Sequence, residues 1–327
     1  MTPYPSAASD PSVGLRNAPT GVPPEGPLVS VIIPTCDHAH YLPESIGSTL
    51  AQSYRHFELI VIDDGSRDDT HAVVQRCNDG SIRYIKQRNR GLAAARNRGL
   101  SEARGEFAAF LDADDRLLPD HLRVSVAAFG DNAGVAFVCG DLRTFGFPHD
   151  FDHVHVCAPA PDHFASLLRG CFIVNVGVCL FRRSALLAVG GFDETRRACE
   201  DWDLFLRLLR HSSLFCHHTV VLEYRRSPGQ MSRKFPLMLD ESMRTLRGQR
   251  KYAQRRKEYA DAYQDGLADI LRYYGDPAAD ELRQAFSRLR IPDVLPLIRS
   301  LLRWYPAGFC RAVGLSSLGN GSRTHAP

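Results

Sequence analysis

Val29-Ser-Val-Ile-Ile33 is a short β-branched apolar run that stops at Pro34. Such a run reads as a strand buried on both faces, the kind found inside a parallel sheet. Residues 41–53 follow with helical spacing, placing Ile46 and Leu50 on one face. A second buried run, Phe57-Glu-Leu-Ile-Val-Ile62, ends in Asp63-Asp-Gly-Ser66. A polar helix comes next, then a strand over 82–85, a helix over 91–103 and a strand over 107–111 that runs into Asp112. Strands alternating with helices predict an α/β fold, a Rossmann-like, mostly parallel sheet flanked by helices.

The rest of the chain is less regular. Residues 135–139, 174–181 and 214–224 read as strands, and 200–211 as a helix offering Leu204, Phe205 and Leu208 to a core. Beyond Pro236 the pattern is helical and charged, with Tyr259, Tyr263, Leu267, Ile270 and Tyr274 in register. Val294, Leu297, Ile298, Leu301, Leu302 and Tyr305 form a second stripe, ended by Pro306. That stripe is expected to pack on its own domain. With Arg299, Arg303 and Arg311 alongside, its other reading is peripheral contact with an anionic membrane. The expected organisation is a Pro-rich disordered tail at 1–27, an α/β domain at 28–235, a helical extension at 236–315 and a frayed tail at 316–327.

Composition narrows the function classes. The 327 residues carry a net charge of +3, too little to suggest a nucleic-acid partner. Nine cysteines, an odd number with no Cys-x-x-Cys pair, argue against a disulfide framework or a zinc ribbon. With no signal-peptide core in the first residues, they point to a reducing cytoplasm. No apolar stretch is long enough to span a bilayer.

Ligands of such sheets bind outside the carboxyl ends of the strands. Three polar clusters fall there: Thr35-Cys-Asp37, Asp63-Asp64 and Asp112-Ala-Asp-Asp115. Carboxylates crowded at the end of a buried strand pay desolvation and repel each other unless a cation joins them. Magnesium or manganese suits one or two such carboxylates together with a substrate diphosphate. A plain acidic turn is the alternative for Asp112 to Asp115. Gly65 suits a turn, and Ser66 is expected to cap the following helix.

Six segments in order resemble the signature of family 2 glycosyltransferases with the GT-A fold. They are Val29-Ser-Val-Ile-Ile-Pro-Thr35, Ile60-Val-Ile-Asp-Asp-Gly-Ser66, Asn89-Arg-Gly-Leu-Ala-Ala-Ala-Arg-Asn-Arg-Gly99, Phe110-Leu-Asp-Ala-Asp-Asp115, Gly190-Gly-Phe-Asp-Glu194 and Glu200-Asp-Trp-Asp-Leu-Phe-Leu-Arg-Leu208. The resemblance covers about residues 28–235. It implies an inverting transfer from a nucleoside-diphosphate sugar, UDP foremost, to a hydroxyl of a glycan or lipid-linked acceptor, with Mn2+ or Mg2+ as cofactor. The reaction would belong to polysaccharide synthesis, in the cytoplasm or at the inner face of the membrane.

The resemblance also implies roles. Pro34, Thr35 and Asp37 would line the nucleotide pocket, and Asp64 would read the base. Asn89 and Arg96 would support nucleotide or sugar. Asp112 and Ala113 would face the nucleotide-sugar, and Asp114, helped by Asp112, would hold the metal with Asp115 nearby. Asp201 would be the general base, and Asp193 and Trp202 would face the acceptor. A base on the acceptor side is also what a single in-line displacement needs. Glu200 reads more simply as a first-turn carboxylate favoured by the helix dipole.

Two positions depart from the family pattern. Cys36 stands where many members carry a base-stacking aromatic, and Ser227 where many carry a histidine. Arg225 or Arg226 can serve the diphosphate instead. Asp150-Phe-Asp-His-Val-His155 has metal-ligand residue types but reads as an exposed loop. His217 and His218 would point to opposite faces of a strand. The competing functions are a metal-dependent phosphotransferase or nucleotidyltransferase and a non-catalytic nucleotide-sugar or glycan-binding module. The first lacks a Gly-x-x-x-x-Gly-Lys loop, and the retained Asp112, Asp114 and Asp201 speak against the second.

Overall fold

The computed structural model describes residues 26–77, 79–130, 134–146, 153–227, 229–287 and 291–314. The expected tails at 1–27 and 316–327 lie almost wholly outside them, as do Asp150, Phe151 and Asp152. The chain divides into two units: one ends at Leu167 and resumes over 171–228, and the other joins 168–170 to the segment from Gly229 onward.

The first unit is built on a mixed sheet. Its strands are β1 (Val29–Thr35), β2 (Phe57–Asp63), β3 (Ile82–Lys86), β4 (Phe107–Phe110), β5 (Arg116–Leu117), β6 (Val135–Gly146), β7 (His153–His155), β8 (Cys179–Arg182) and β9 (Ser213–Arg226). They lie in the order β3-β2-β1-β4-β8-β6-β9-β5, with β7 added to β6. The first four are parallel, β8 runs antiparallel to both its neighbours, and β6 and β9 are parallel. The connecting helices are α1 (Leu42–Leu50), α2 (Thr70–Arg76), α3 (Leu92–Glu102), α4 (His121–Phe129), α5 (His163–Arg169), α6 (Arg183–Ala188) and α7 (Glu200–Leu209). Every residue of β1 and β4 is buried, as their apolar runs required. Gly99 lets α3 approach β1, because a Cβ there would lie 2.3 Å from Ile32 Cγ2.

Three local expectations change. Pro34 does not stop β1, which continues to Thr35. Thr35 C=O accepts from Asp64 N–H on the β2 side, and Ile32 C=O accepts from Leu111 N–H on the β4 side. Strand groups alternate in direction, so the N–H that proline lacks would point past the end of β4, and no ladder bond is lost. Residues 174–178 are not strand either. Asn175 turns its side-chain oxygen onto Gly177 N–H at 2.7 Å and starts a 3-10 turn over Val176–Val178. His153 and His155 form a strand beside β6 instead of a loop.

The second unit is helical: α8 (Phe235–Arg247), α9 (Arg250–Ala253), α10 (Lys257–Ile270), a π turn at Leu271–Gly275, α11 (Asp276–Ser287), α12 (Ile291–Trp304) and α13 (Pro306–Ala312). The α12 stripe is consumed inside this unit: Val294, Leu297, Leu301 and Trp304 are buried. Ser300 and Trp304 both donate to Asp240 Oδ1 on α8, at 2.9 and 2.7 Å. Leu302 of the same stripe stays exposed, as does Leu295. Among the described residues no helix is long and apolar enough to cross a membrane.

Candidate active site

The carboxyl ends of β1, β2 and β4 bring the three polar clusters to one edge, with Thr35 paired to Asp63 and Ile32 to Phe110. Asp63 and its neighbour Asp64 do different work. Asp63 is fully buried and accepts from Ser66 N–H at 2.7 Å and from the Tyr84 hydroxyl, with Lys86 at 3.4 Å. Those partners outweigh its burial and hold its carboxyl below the usual range. Asp64 accepts from Gln87 Nε2 (2.8 Å), Arg90 N–H (2.9 Å) and Gly91 N–H (2.8 Å). It anchors the 87–91 loop and keeps acceptor capacity on Oδ2, which takes one of the three bonds.

Asp37 adopts a left-handed backbone, φ 56°. Its Oδ1 accepts from Arg67 N–H at 2.7 Å, and its own N–H donates to Ser66 Oγ at 3.0 Å. Ser66 therefore ties two strand-end loops together instead of capping α2. Asn89 Nδ2 donates to Cys36 Sγ at 3.3 Å. Pro34 is buried in β1, and the Thr35 hydroxyl oxygen is buried with no protein partner, a free polar group at the carboxyl end of β1.

The three aspartates after β4 separate clearly. Asp115 is completely buried and spends one oxygen on Arg225 N–H and the other on Asn175 Nδ2, both at 2.8 Å. Burial, then Asp114 and Asp112, push its carboxyl well up. It is a strut between this loop and β9. Asp112 accepts from Arg96 Nη2 at 2.7 Å through Oδ1. Ala113 is buried between its neighbours. Burial and the adjacent Asp112 raise the pKa of Asp114, whose backbone carbonyl is gripped by Arg225 Nε at 2.8 Å. A carboxylate pair under this strain fits a hard divalent cation, Asp114 leading and Asp112 assisting. Arg225 also pairs with Glu44 at 2.7 Å, so it frames this loop.

Arg96 carries the site to its other side. It is 2% exposed, and its second terminal nitrogen donates to Glu200 Oε1 at 2.6 Å. Glu200 thus does more than favour the dipole of α7: it shares a buried guanidinium with Asp112. Asp112 and Glu200 outweigh desolvation and hold Arg96 firmly charged. Asp201 follows in the first turn of α7, preceded by Cys199 in a left-handed conformation, φ 58°. Desolvation and Glu200 raise the Asp201 pKa to about 7, against the opposing charge of Arg96.

The two residues expected on the acceptor side both make contacts within the protein. Trp202 is 5% exposed and donates its indole N–H to Leu167 C=O at 3.0 Å, so α7 turns it into the core. Asp193 spends Oδ1 on the Thr195 N–H and hydroxyl and Oδ2 on Arg196 at 3.2 Å. It holds its own turn. Asn97 was not singled out, yet it clamps that turn by donating to Phe192 C=O (2.9 Å) and accepting from Phe192 N–H (2.8 Å). Asn175 carries no signal of its role in the sequence, and Glu200 only that of a first-turn carboxylate: a buried polar residue signals its role only once its distant partner is known.

Comparison with known proteins places the family and the fold. The family model Glycosyl transferase family 2 matches residues 30–189, and Glycosyltransferase like family 2 matches 162–268. An uncharacterized glycosyltransferase of Rickettsia typhi is 30% identical over 231 residues, 66% of this chain and 69% of that protein. The UDP-Glc:alpha-D-GlcNAc-diphosphoundecaprenol beta-1,3-glucosyltransferase WfgD of Escherichia coli is 30% identical over 208 residues, 63% of this chain and 79% of its own. Among solved structures, the mannosyltransferase PcManGT of Pyrobaculum calidifontis, in complex with GDP-Man and Mn2+, aligns with a TM-score of 0.59 at 18% identity, covering 94% of this chain and 92% of its own. S. aureus TarS residues 1–349 in complex with UDP-GlcNAc aligns at 0.55 and 17%, covering 84% and 91%. These two likenesses concern the fold, which is GT-A. The matched segments run through all three strand-end clusters and α7, and the chain belongs to glycosyltransferase family 2.

Proposed function

We propose that this chain is an inverting glycosyltransferase that moves a sugar from a nucleoside diphosphate, UDP foremost, to a hydroxyl of a glycan or lipid-linked saccharide. The observation that carries the reading is Arg96, buried and bonded at once to Asp112 and Glu200. It sets a donor-side acid and the start of the acceptor-side helix in one rigid frame. In the proposed mechanism Thr35, Asp37, Asp64 and Asn89 line the nucleotide side. Asp114 and Asp112 would hold Mn2+ or Mg2+, and the bound ion would supply charge neutralisation for the diphosphate leaving group. Asp201 accepts the proton of the attacking hydroxyl, and a pKa near 7 matches that task at neutral pH. WfgD, by its name, uses a UDP-linked donor, an acceptor on diphosphoundecaprenol and makes a β-1,3 linkage; we extend that donor and acceptor class to this chain.

The test is incubation with Mn2+ or Mg2+ and a panel of UDP-, GDP- and dTDP-sugars, following slow hydrolysis to nucleoside diphosphate. One donor is expected to turn over in a metal-dependent way, with inverted configuration in the released sugar. Absence of both hydrolysis and binding across the panel would instead indicate a non-catalytic module.

A further inference from the structure

Three cysteines distant in the chain meet at one point of the sheet. Cys139 lies on β6, Cys216 is its direct partner on β9, and Cys157 follows β7. Their sulfurs are 3.1 Å (Cys139–Cys157), 3.4 Å (Cys139–Cys216) and 3.4 Å (Cys157–Cys216) apart. All three are free thiols; Cys139 and Cys157 are buried and Cys216 keeps partial access.

Buried cysteines often act only as small apolar side chains. That role needs filled space, not a closed triangle of sulfurs, and not the polar shell found here. Asp141 is buried beside the triangle, and its Oδ1 accepts from Cys157 N–H at 2.8 Å. The same oxygen stands 3.9 Å from His218 Nδ1. His218 has a left-handed backbone, φ 51°, where the β6–β9 register shifts between Cys139 and Asp141. Such a bulge re-aims a side chain at the cost of ladder regularity.

We propose that Cys139, Cys157 and Cys216 form a thiolate site for a thiophilic d10 cation, zinc(II) foremost, separate from the oxygen-ligand site at Asp112 and Asp114. Three sulfurs with one nitrogen or water complete the tetrahedron zinc prefers. A zinc–sulfur bond of about 2.3 Å implies sulfur–sulfur edges of about 3.8 Å, so the triangle opens by only roughly 0.4–0.7 Å to accept the ion. Binding displaces the thiol protons to solvent and leaves three metal–sulfur bonds. The ion would fasten β6, the chain beyond β7 and β9 to one another. Since β9 carries Arg225, which grips the Asp114–Asp115 loop, the cluster braces the strand that frames the metal-binding aspartates.

The experiment is elemental analysis of the full chain purified under reducing conditions without chelator and passed through gel filtration. One zinc per chain is expected in the wild type and in Cys77→Ser, and a loss of most of it in Cys157→Ser and Cys216→Ser. Cobalt(II) exchanged into the wild-type chain should show sulfur-to-metal charge-transfer absorption, which aspartate ligands do not produce. That band decides the matter even where a variant fails to fold. A wild type that stays metal-free with zinc added, a cobalt complex without the band, or a triple Cys→Ser variant that keeps its zinc would each overturn the proposal.

Discussion

Arg96 and Glu200 meet at 2.6 Å across 104 positions of sequence, and neither side chain is more than a tenth exposed. The other arm of the guanidinium holds Asp112 at 2.7 Å. Removing the arginine would leave two carboxylates without their shared counter-charge, Glu200 buried and Asp112 28% exposed. Breaking one partner out of a buried pair costs about 3–5 kcal/mol. Arg96→Met should lose stability on that order in urea unfolding and lose turnover more than donor affinity. Arg96→Lys, which keeps charge but not the planar fork, should recover part of the stability and little of the activity. Wild-type stability in Arg96→Met would show that the pair is not a structural hub.

Asp201 sits one residue beyond that pair, and the proposed chemistry depends on its charge. Asp201→Asn should abolish transfer while leaving nucleotide-sugar binding, measured by calorimetry, largely intact. In the wild type, kcat should rise with pH through an inflection near 7, because only the deprotonated carboxylate accepts a proton. Glu200→Gln removes a like charge beside Asp201 and should move that inflection downward. Near-normal turnover in Asp201→Asn, or a rate flat between pH 5.5 and 8.5, would remove Asp201 from the role.

Much of the fold was legible because buried strands announce themselves: Val29 to Ile33, Phe57 to Ile62 and Phe107 to Leu111 are apolar but for Ser30 and Glu58, and all entered the parallel half of the sheet. The antiparallel β8 was partly hidden. Val174 to Phe181 is apolar but for Asn175 and Gly177, and only the Asn175 side chain, bonded to Gly177 N–H and Asp115, shows why half of it coils. In the candidate site, residue types and order were readable, but the division of labour was not. Asp63 and Asp64, or Asp114 and Asp115, are adjacent and chemically identical. What separates them is which oxygen meets which distant donor. Trp202 shows the same limit in reverse: helical phase decides whether an aromatic faces a ligand or the core, and α7 is apolar on most of its circumference.

Asp114 and Asp115 therefore make a discriminating pair of variants. Both oxygens of Asp115 are committed to protein donors, so Asp115→Ala leaves Arg225 N–H and Asn175 Nδ2 unsatisfied in the interior. Each orphaned group costs about 1–3 kcal/mol, and a drop in melting temperature of several degrees is expected even without ligands. Asp114→Asn should melt close to wild type yet lose the stabilisation that Mn2+ with a nucleoside diphosphate confers. Thermal shift with and without Mn2+ separates the two outcomes. Equal ligand-free melting losses in both variants would contradict the assignment.

Acid sensitivity should arise away from the candidate site, at His121. Its ring is completely buried on α4 with neither nitrogen partnered. Burial, and then the charge of His217, press its pKa from 6.5 to about 3. Burial likewise brings His217 to about 4. Below pH 6.5 the unfolded chain takes up these protons while the folded chain refuses them, so unfolding gains free energy at every step down. Stability from neutral His121 is thus fully present above about pH 6.5 and drains away as pH falls toward 3. His121→Leu removes the titration without adding a buried charge. Measured by urea unfolding, the variant should gain on the wild type steadily between pH 7 and pH 4.5. The raised carboxylates, common to both proteins, cancel in that difference. A difference that does not change with pH would mean the folded chain protonates His121 as readily as the unfolded one, and that its cavity admits water.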